Sequence, residues 1–199
     1  CADEADNPLT RMQLVRLSAA IDGIDAPLSI ANSPALLAWP ETRAQWNRAG
    51  YMLYGASPLA DDRHPLTPEL RPVMSLESAV VSLRDIAVGE SVGYGATWTA
   101  RRPTRLATVP AGYADGYPRS AVNGTPVFVG GHRASIAGRV SMDMLTVDVT
   151  DVPQVHPGMP VHLWGTQIGV DVVARHCGTI GYELLVRVSP RVPRVYTNG

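Results

Sequence analysis

A tyrosine held between two glycines, Gly93-Tyr94-Gly95, is the residue of this chain best placed to do chemistry. Glycines on both sides permit unusual backbone angles and let a ligand approach the main chain closely. The tyrosine admits two readings: a ring packed at a strand end with its hydroxyl hydrogen-bonded, or a general base. The second needs perturbing neighbours, because a phenol ordinarily titrates at about 10. No side-chain amine is available for covalent catalysis, since the seventeen basic residues are all arginine. His64, His132, His156, His162 and His176 have no metal-ligand spacing, and no metal centre is expected. Cys1 and Cys177 make no disulfide framework; Cys1 is read as the point where the chain begins and Cys177 as a small core residue. No dinucleotide fingerprint, phosphate loop or nucleophile elbow occurs, and Gly130-Gly131 reads as a hairpin turn.

The elements that must position Tyr94 fall into two textures. Residues 8–22 read as a helix with Leu14, Leu17 and Ile21 on one face and Gly23 as its stop. Residues 26–31 form a short apolar run, 34–39 suit one or two helical turns closed by Pro40, and 48–55 are again strand-like. That is α/β alternation, but two strands close no barrel. Residues 56–72, rich in Pro, Asp and His, read as a linker. Beyond Met74, strand-like runs recur at 78–86, 105–110, 125–129, 134–140, 144–149, 160–164 and 184–188, with turns at Val88-Gly89, Asn123-Gly124, Gly130-Gly131 and Pro157-Gly158. Only 170–177 reads as helical there, so a mostly antiparallel β domain is expected.

Composition narrows the function classes. A formal charge of −1 with interspersed acids and arginines gives no footprint for nucleic acid and no basic patch for a membrane. No apolar run is long enough to span a bilayer and the acidic N-terminus is unlike a secretory signal, so a cytoplasmic setting is the default expectation.

Three multi-residue stretches then agree together. Tyr94-Gly-Ala-Thr-Trp98, Gly112-Tyr-Ala-Asp-Gly-Tyr-Pro-Arg119 and Gly138-Arg-Val-Ser-Met-Asp-Met144 resemble, in order and spacing, the C-terminal domain of the alanine racemases. Residues 187–196 resemble that family's closing strand, and residues 29–34 and 48–55 its last barrel strands. The resemblance covers essentially the whole chain. It implies an α+β, multidomain fold, with the end of a (β/α)8 barrel over residues 1–70 and the family's β domain over 71–199.

The resemblance also implies roles. The family racemises L- and D-alanine on pyridoxal phosphate by a two-base mechanism, which implies a role in supplying D-alanine for peptidoglycan precursors or in alanine catabolism. Tyr94 would be one base; the other would be a lysine that also holds the cofactor as a Schiff base. Met142 would offer its N–H to the substrate carboxylate, with Asp143 beside it and Tyr113 near the entrance. Ser33, the backbone of Gly50 and Tyr51, and the Tyr182 hydroxyl would bind the cofactor phosphate. Arg48, permanently charged, would face the pyridine nitrogen and discourage its protonation, limiting transamination. Asp115 and Arg119 read as loop-ordering residues. The implied assembly is a homodimer with shared active sites.

The family's lysine has no counterpart in these 199 residues. The expectation is therefore an N-terminal barrel segment that carries it, either as a separate fragment or as preceding chain, because Cys1 leads straight into a helix with no element before it. Two other readings stand beside this one: a broad-specificity amino-acid racemase, and a catalytically inert fragment or dimerisation module that keeps the motifs by descent.

Overall fold

The computed structural model describes residues 1–60, 65 and 67–197. The chain forms two compact units, Cys1–Val73 and Met74–Gly199.

The first unit begins with helix α1 (Leu9–Ala20), whose Leu14 and Leu17 are half-buried on one face, as their spacing requires. Strand β1 (Ser29–Asn32) passes directly into helix α2 (Ser33–Ala38). The Asn32 side chain accepts the Ala35 N–H at 3.2 Å and Pro34 occupies the first turn, which together start the helix. Strand β2 (Trp46–Arg48) then lies parallel to β1, with Ser29 opposite Trp46 and Asn32 opposite Arg48. This is a minimal strand–helix–strand crossover. Trp39 fills the core beneath it, with its indole N–H donating to the Ala2 carbonyl at 3.0 Å and the Arg11 guanidinium 5.3 Å above its ring.

Residues 48–55 are not one strand. After Arg48 the chain tightens into a 3-10 turn, Tyr51–Tyr54, which buries Tyr51 and exposes Leu53. The apolar run is too short to set its own period. The buried Ser33 hydroxyl oxygen decides the matter by accepting the N–H groups of Gly50 at 3.0 Å and Met52 at 3.4 Å, donors that a strand would give to its neighbour. Within the expected linker a 3-10 turn covers Thr67–Glu69; residues 61–64, with His64, and residue 66 lie outside the described residues.

In the second unit the strands are β3 (Leu76–Ala79), β4 (Ser82–Ile86), β5 (Ser91–Val92), β6 (Trp98–Thr99), β7 (Thr104–Val109), β8 (Pro126–Val129), β9 (His132–Ile136), β10 (Leu145–Asp148) and β11 (Pro160–Trp164). Seven pair antiparallel in the order β3-β11-β8-β9-β10-β7-β4. The two outermost strands are consecutive in sequence, separated only by Val80 and Val81. Val80 donates to the Met159 carbonyl at 2.9 Å and accepts from Gly158 at 2.7 Å, while Val81 donates to Thr108 at 2.9 Å. One run of chain, bent at these two valines, thus pairs with β11 at its start and with β7 at its end, and the sheet curls round onto itself. The run expected over 78–86 is this bent segment. Alternation along β10, with Leu145 and Val147 buried and Thr146 and Asp148 half-exposed, shows how the inner face fills.

Two expectations for the C-terminal part are corrected. The expected strand at 184–188 belongs to a helix, α4 (Gly181–Arg187), which follows helix α3 (Val170–His176). In a strand Leu184, Val186 and Val188 would share a face; here Leu184 and Val188 are buried and Val186 is 82% exposed, the pattern of a helical turn. Contacts four residues apart support it: the Thr179 hydroxyl donates to Glu183, and Arg187 pairs with Glu183 at 2.6 Å. The closing strand expected over 187–196 is also absent among the described residues. Pro190 and Pro193 lack the N–H groups that a ladder needs.

Candidate active site

The candidate residues form two groups, one in each unit. In the first unit they sit where the parallel strands end. Ser33 follows β1, and Arg48 ends β2 just ahead of Gly50 and Tyr51. The carboxyl ends of adjacent parallel strands are where α/β folds place ligands. Arg48 bridges both strands: one terminal nitrogen donates to the Ser29 carbonyl at 2.8 Å and its hydroxyl at 2.9 Å, the other to the Ile30 carbonyl at 3.3 Å. Arg48 also lines a cavity of about 270 Å³ with Leu14, Leu17, Ile30, Asn32 and Thr42. At Gly50 a side chain would meet no atom within 4 Å, so the main chain there is open to a ligand. A buried hydroxyl beside N–H donors and open backbone suits a small oxyanion.

In the second unit Tyr94 stands on the tip of the β5–β6 hairpin and is 70% exposed. A hairpin this small does not hold its shape alone. Its base is secured by an apolar cluster in which Val92 and Ala100 pack with Ile86, Leu106 and Ala137, and Trp98 lies against them. Its tip rests on the loop before β10. Gly93 (φ +77°) and Gly138 (φ +85°) meet backbone to backbone, and a Cβ on Gly93 would fall 2.8 Å from the Arg139 nitrogen. Only glycine fits both the angles and the gap.

That same loop carries Met142 and Asp143 at the point of a tight turn, closed by Ser141, which donates both its N–H (2.9 Å) and its hydroxyl (2.7 Å) to the Met144 carbonyl. The loop is zipped to the Tyr113 loop: Tyr113 donates to Ser141 at 3.0 Å and Ala114 to Met142 at 2.9 Å. Among the described residues no acceptor takes the Met142 N–H, and the residue is exposed. The structure thus brings Tyr113, Met142 and Asp143 onto one pair of hydrogen-bonded loops, with the Tyr94 hairpin resting on the second of them at Gly138. Tyr182 lies apart from them in the first turn of α4, exposed.

Charge orders these loops. Arg191 donates to Asp115 and to Asp143, both at 2.7 Å, and Asp115 also accepts the Gly112 N–H at 2.8 Å. Burial would push the Asp115 carboxyl up, but the Arg191 guanidinium and the Gly112 N–H outweigh it and hold the group below the usual carboxylate range. The third tyrosine of this region, Tyr117, serves the scaffold: it is fully buried and stacked on Trp164 at 5.8 Å between ring centroids, and burial drives its hydroxyl pKa upward.

Sequence reading missed Arg191 and the side chain of Asn123. Asn123 was visible only as half of an Asn-Gly turn, and Arg191 only as one arginine among several near the C-terminus. His162 pairs with Glu77 at 3.2 Å, and the described residues hold no cluster of three or more metal-ligating side chains.

The comparisons with known proteins agree with one another. Residues 73–196 match the family model described as alanine racemase, C-terminal domain, and residues 1–58 that of alanine racemase, N-terminal domain. The biosynthetic alanine racemase of Pseudomonas aeruginosa is 56% identical over 198 residues, covering 100% of this chain and 55% of that protein. The alanine racemase of Chromohalobacter salexigens is 50% identical over 197 residues, covering 99% and 54%. The crystal structure of the Pseudomonas aeruginosa biosynthetic enzyme superposes with a TM-score of 0.95, covering 100% of this chain and 55% of that one. The Bartonella henselae alanine racemase, described with covalently bound pyridoxal phosphate, gives a TM-score of 0.89 at 32% identity, covering 98% and 54%. The chain spans about half the length of the relatives it matches.

Proposed function

This chain belongs to the alanine racemase family, and on that premise we propose that it supplies one part of the machinery that interconverts L- and D-alanine with pyridoxal phosphate. The observation that carries the reading is the presentation of Tyr94. An exposed phenol is held on a glycine-locked hairpin against the loop whose Met142 N–H stands open.

The residues of the first unit fit the cofactor. The Ser33 hydroxyl and the backbone of Gly50 and Tyr51 would take the phosphate: the Ser33 O–H is a donor, and the Gly50 N–H that Ser33 now accepts would turn to a phosphate oxygen beside the open glycine. Arg48 faces the ring nitrogen and, being permanently charged, keeps it unprotonated. When bound, the cofactor draws electrons from the substrate Cα and so weakens its C–H bond.

Inversion at a carbon requires removal of a proton on one face and its return on the other. Tyr94 does this work on one face; a lysine from outside this chain, on an N-terminal barrel segment, does it on the opposite one. The Met142 N–H binds the substrate carboxylate, Asp143 holds that turn in place, and Tyr113 limits the entrance. Two such subunits share their sites, each lending its tyrosine loop to the cofactor of the other.

The test is racemisation of L-alanine by the chain assembled with its lysine-bearing segment and pyridoxal phosphate. Borohydride reduction and intact-mass analysis run alongside it. Turnover, with a reduced pyridoxyl group on the lysine-bearing part, is the expected result. Cofactor capture with no turnover would instead mark this chain as a non-catalytic dimerisation module, and equal turnover of bulky amino acids would mark a broad-specificity racemase.

A further inference from the structure

We propose that Asn123 is a positioning residue for Tyr94: its side-chain amide ties the tyrosine hairpin to the substrate-facing loop. The inference rests on Tyr94 acting in proton transfer, as argued above. The Asn123 amide nitrogen donates to the Thr97 carbonyl at 2.8 Å, on the descending side of the hairpin tip. Its amide oxygen accepts the Gly138 N–H, also at 2.8 Å, at the start of the loop that leads to Met142. One planar group therefore fixes the distance between the two segments that carry the proposed base and the proposed carboxylate donor.

The anchor itself is rigid. Asn123 lies in a turn closed by Thr125, whose N–H and hydroxyl reach the Val122 carbonyl at 3.0 and 2.7 Å. Gly124 donates to the Ile136 carbonyl at 2.9 Å and so attaches this turn to β9 of the curled sheet. The apolar cluster under the hairpin restrains its base, and the contact between Gly93 and Gly138 only limits approach. Asn123 is the polar link that prevents the tip from swinging outward. The carboxamide carries a donor and an acceptor on one plane at the end of a short side chain. An aspartate keeps the acceptor toward Gly138 and loses the donor toward Thr97.

The Thr97 bond lies at the surface and the Gly138 bond is half-buried, so together they add modestly to unfolding stability. Their effect is on orientation, and small displacements of a reacting group are costly to rate.

The experiment compares Asn123→Ala, Asn123→Asp and Tyr94→Phe in the assembled, cofactor-loaded enzyme, reading backbone hydrogen exchange together with kcat and KM for alanine in both directions. In Asn123→Ala, exchange at residues 95–98 and 138–140 is expected to accelerate about tenfold or more while β7 and β10 stay protected. Its kcat should fall roughly ten- to a hundredfold with KM little changed. Asn123→Asp should loosen residues 95–98 and leave 138–140 protected; being isosteric, it also serves if the alanine variant does not fold. Unchanged exchange in both variants, faster exchange with unchanged kcat, or a loss confined to KM would each overturn the proposal. Full turnover by Tyr94→Phe would instead defeat the proton-transfer reading, and the exchange result would then still decide whether Asn123 restrains the hairpin.

Discussion

Arg191 reaches 48 residues back along the chain to place a guanidinium nitrogen 2.7 Å from the carboxylate of Asp143. Its other contact, to Asp115, lies on the neighbouring loop. A residue from the C-terminal segment thus decides where the Met142 turn sits, although nothing in the spacing of the sequence announces it. Because the Asp115 carboxyl is held below its unfolded value of about 3.9, its contribution is fully present above that pH and disappears as the pH falls through the folded value. Acid should therefore loosen the 112–117 and 141–144 loops before the curled sheet unfolds. Hydrogen exchange followed from pH 6 downward checks this. Asp115→Asn should exchange fast at those loops at every pH, with the acid step gone.

For Tyr94→Phe in the assembled enzyme, the expected outcome is retention of pyridoxal phosphate with loss of roughly a hundred- to ten-thousandfold in racemisation, the usual scale for removing a general base or acid. Cofactor absorbance and polarimetry read the two quantities on one sample. Turnover at the wild-type level would remove Tyr94 from the mechanism.

Arg48→Glu replaces a permanent cation by a group that invites a proton onto the ring nitrogen. The ratio of pyruvate formed to alanine racemised should rise, because a more strongly electron-withdrawing ring favours the transamination side reaction. An unchanged ratio would show that Arg48 matters only through its hydrogen bonds to the Ser29 and Ile30 carbonyls.

At Gly93 the backbone sits at φ +77° with the Arg139 nitrogen 2.8 Å from any added Cβ. Gly93→Ala should cost about 1–3 kcal/mol of stability in the second unit, the typical expense of a side chain forced into such a conformation. Urea unfolding measures it. Gly131→Ala makes a useful control, since it has φ +82° and no atom within 4 Å of the added carbon, so its strain comes without a clash.

Much of this protein was legible before its fold. Glycines around Tyr94, the Tyr113 and Met142 stretches and the strand ends near Ser33 and Gly50 are contiguous signals, and local sequence is where backbone permissiveness and turn chemistry are written. The division into an α/β part and a β-rich part followed from hydrophobic period in the same way. Short apolar runs were a different matter. At 51–54 and 184–188 the run was no longer than a turn or a strand, and hydrogen bonds donated to Ser33 in one case, and the burial of Leu184 and Val188 in the other, chose between them.

What only the tertiary structure decided are the pairings between residues far apart in the chain: the bend at Val80-Val81 that puts one run of chain on both edges of the sheet, the reach of Arg191 to Asp143, and the two hydrogen bonds of Asn123, to Thr97 and Gly138. A single asparagine or arginine carries no period and no spacing that names its partner. Its role comes from the distances that folding creates, so the sequence by itself determined which residues are proposed for the chemistry, and the folded chain determined what holds them in place.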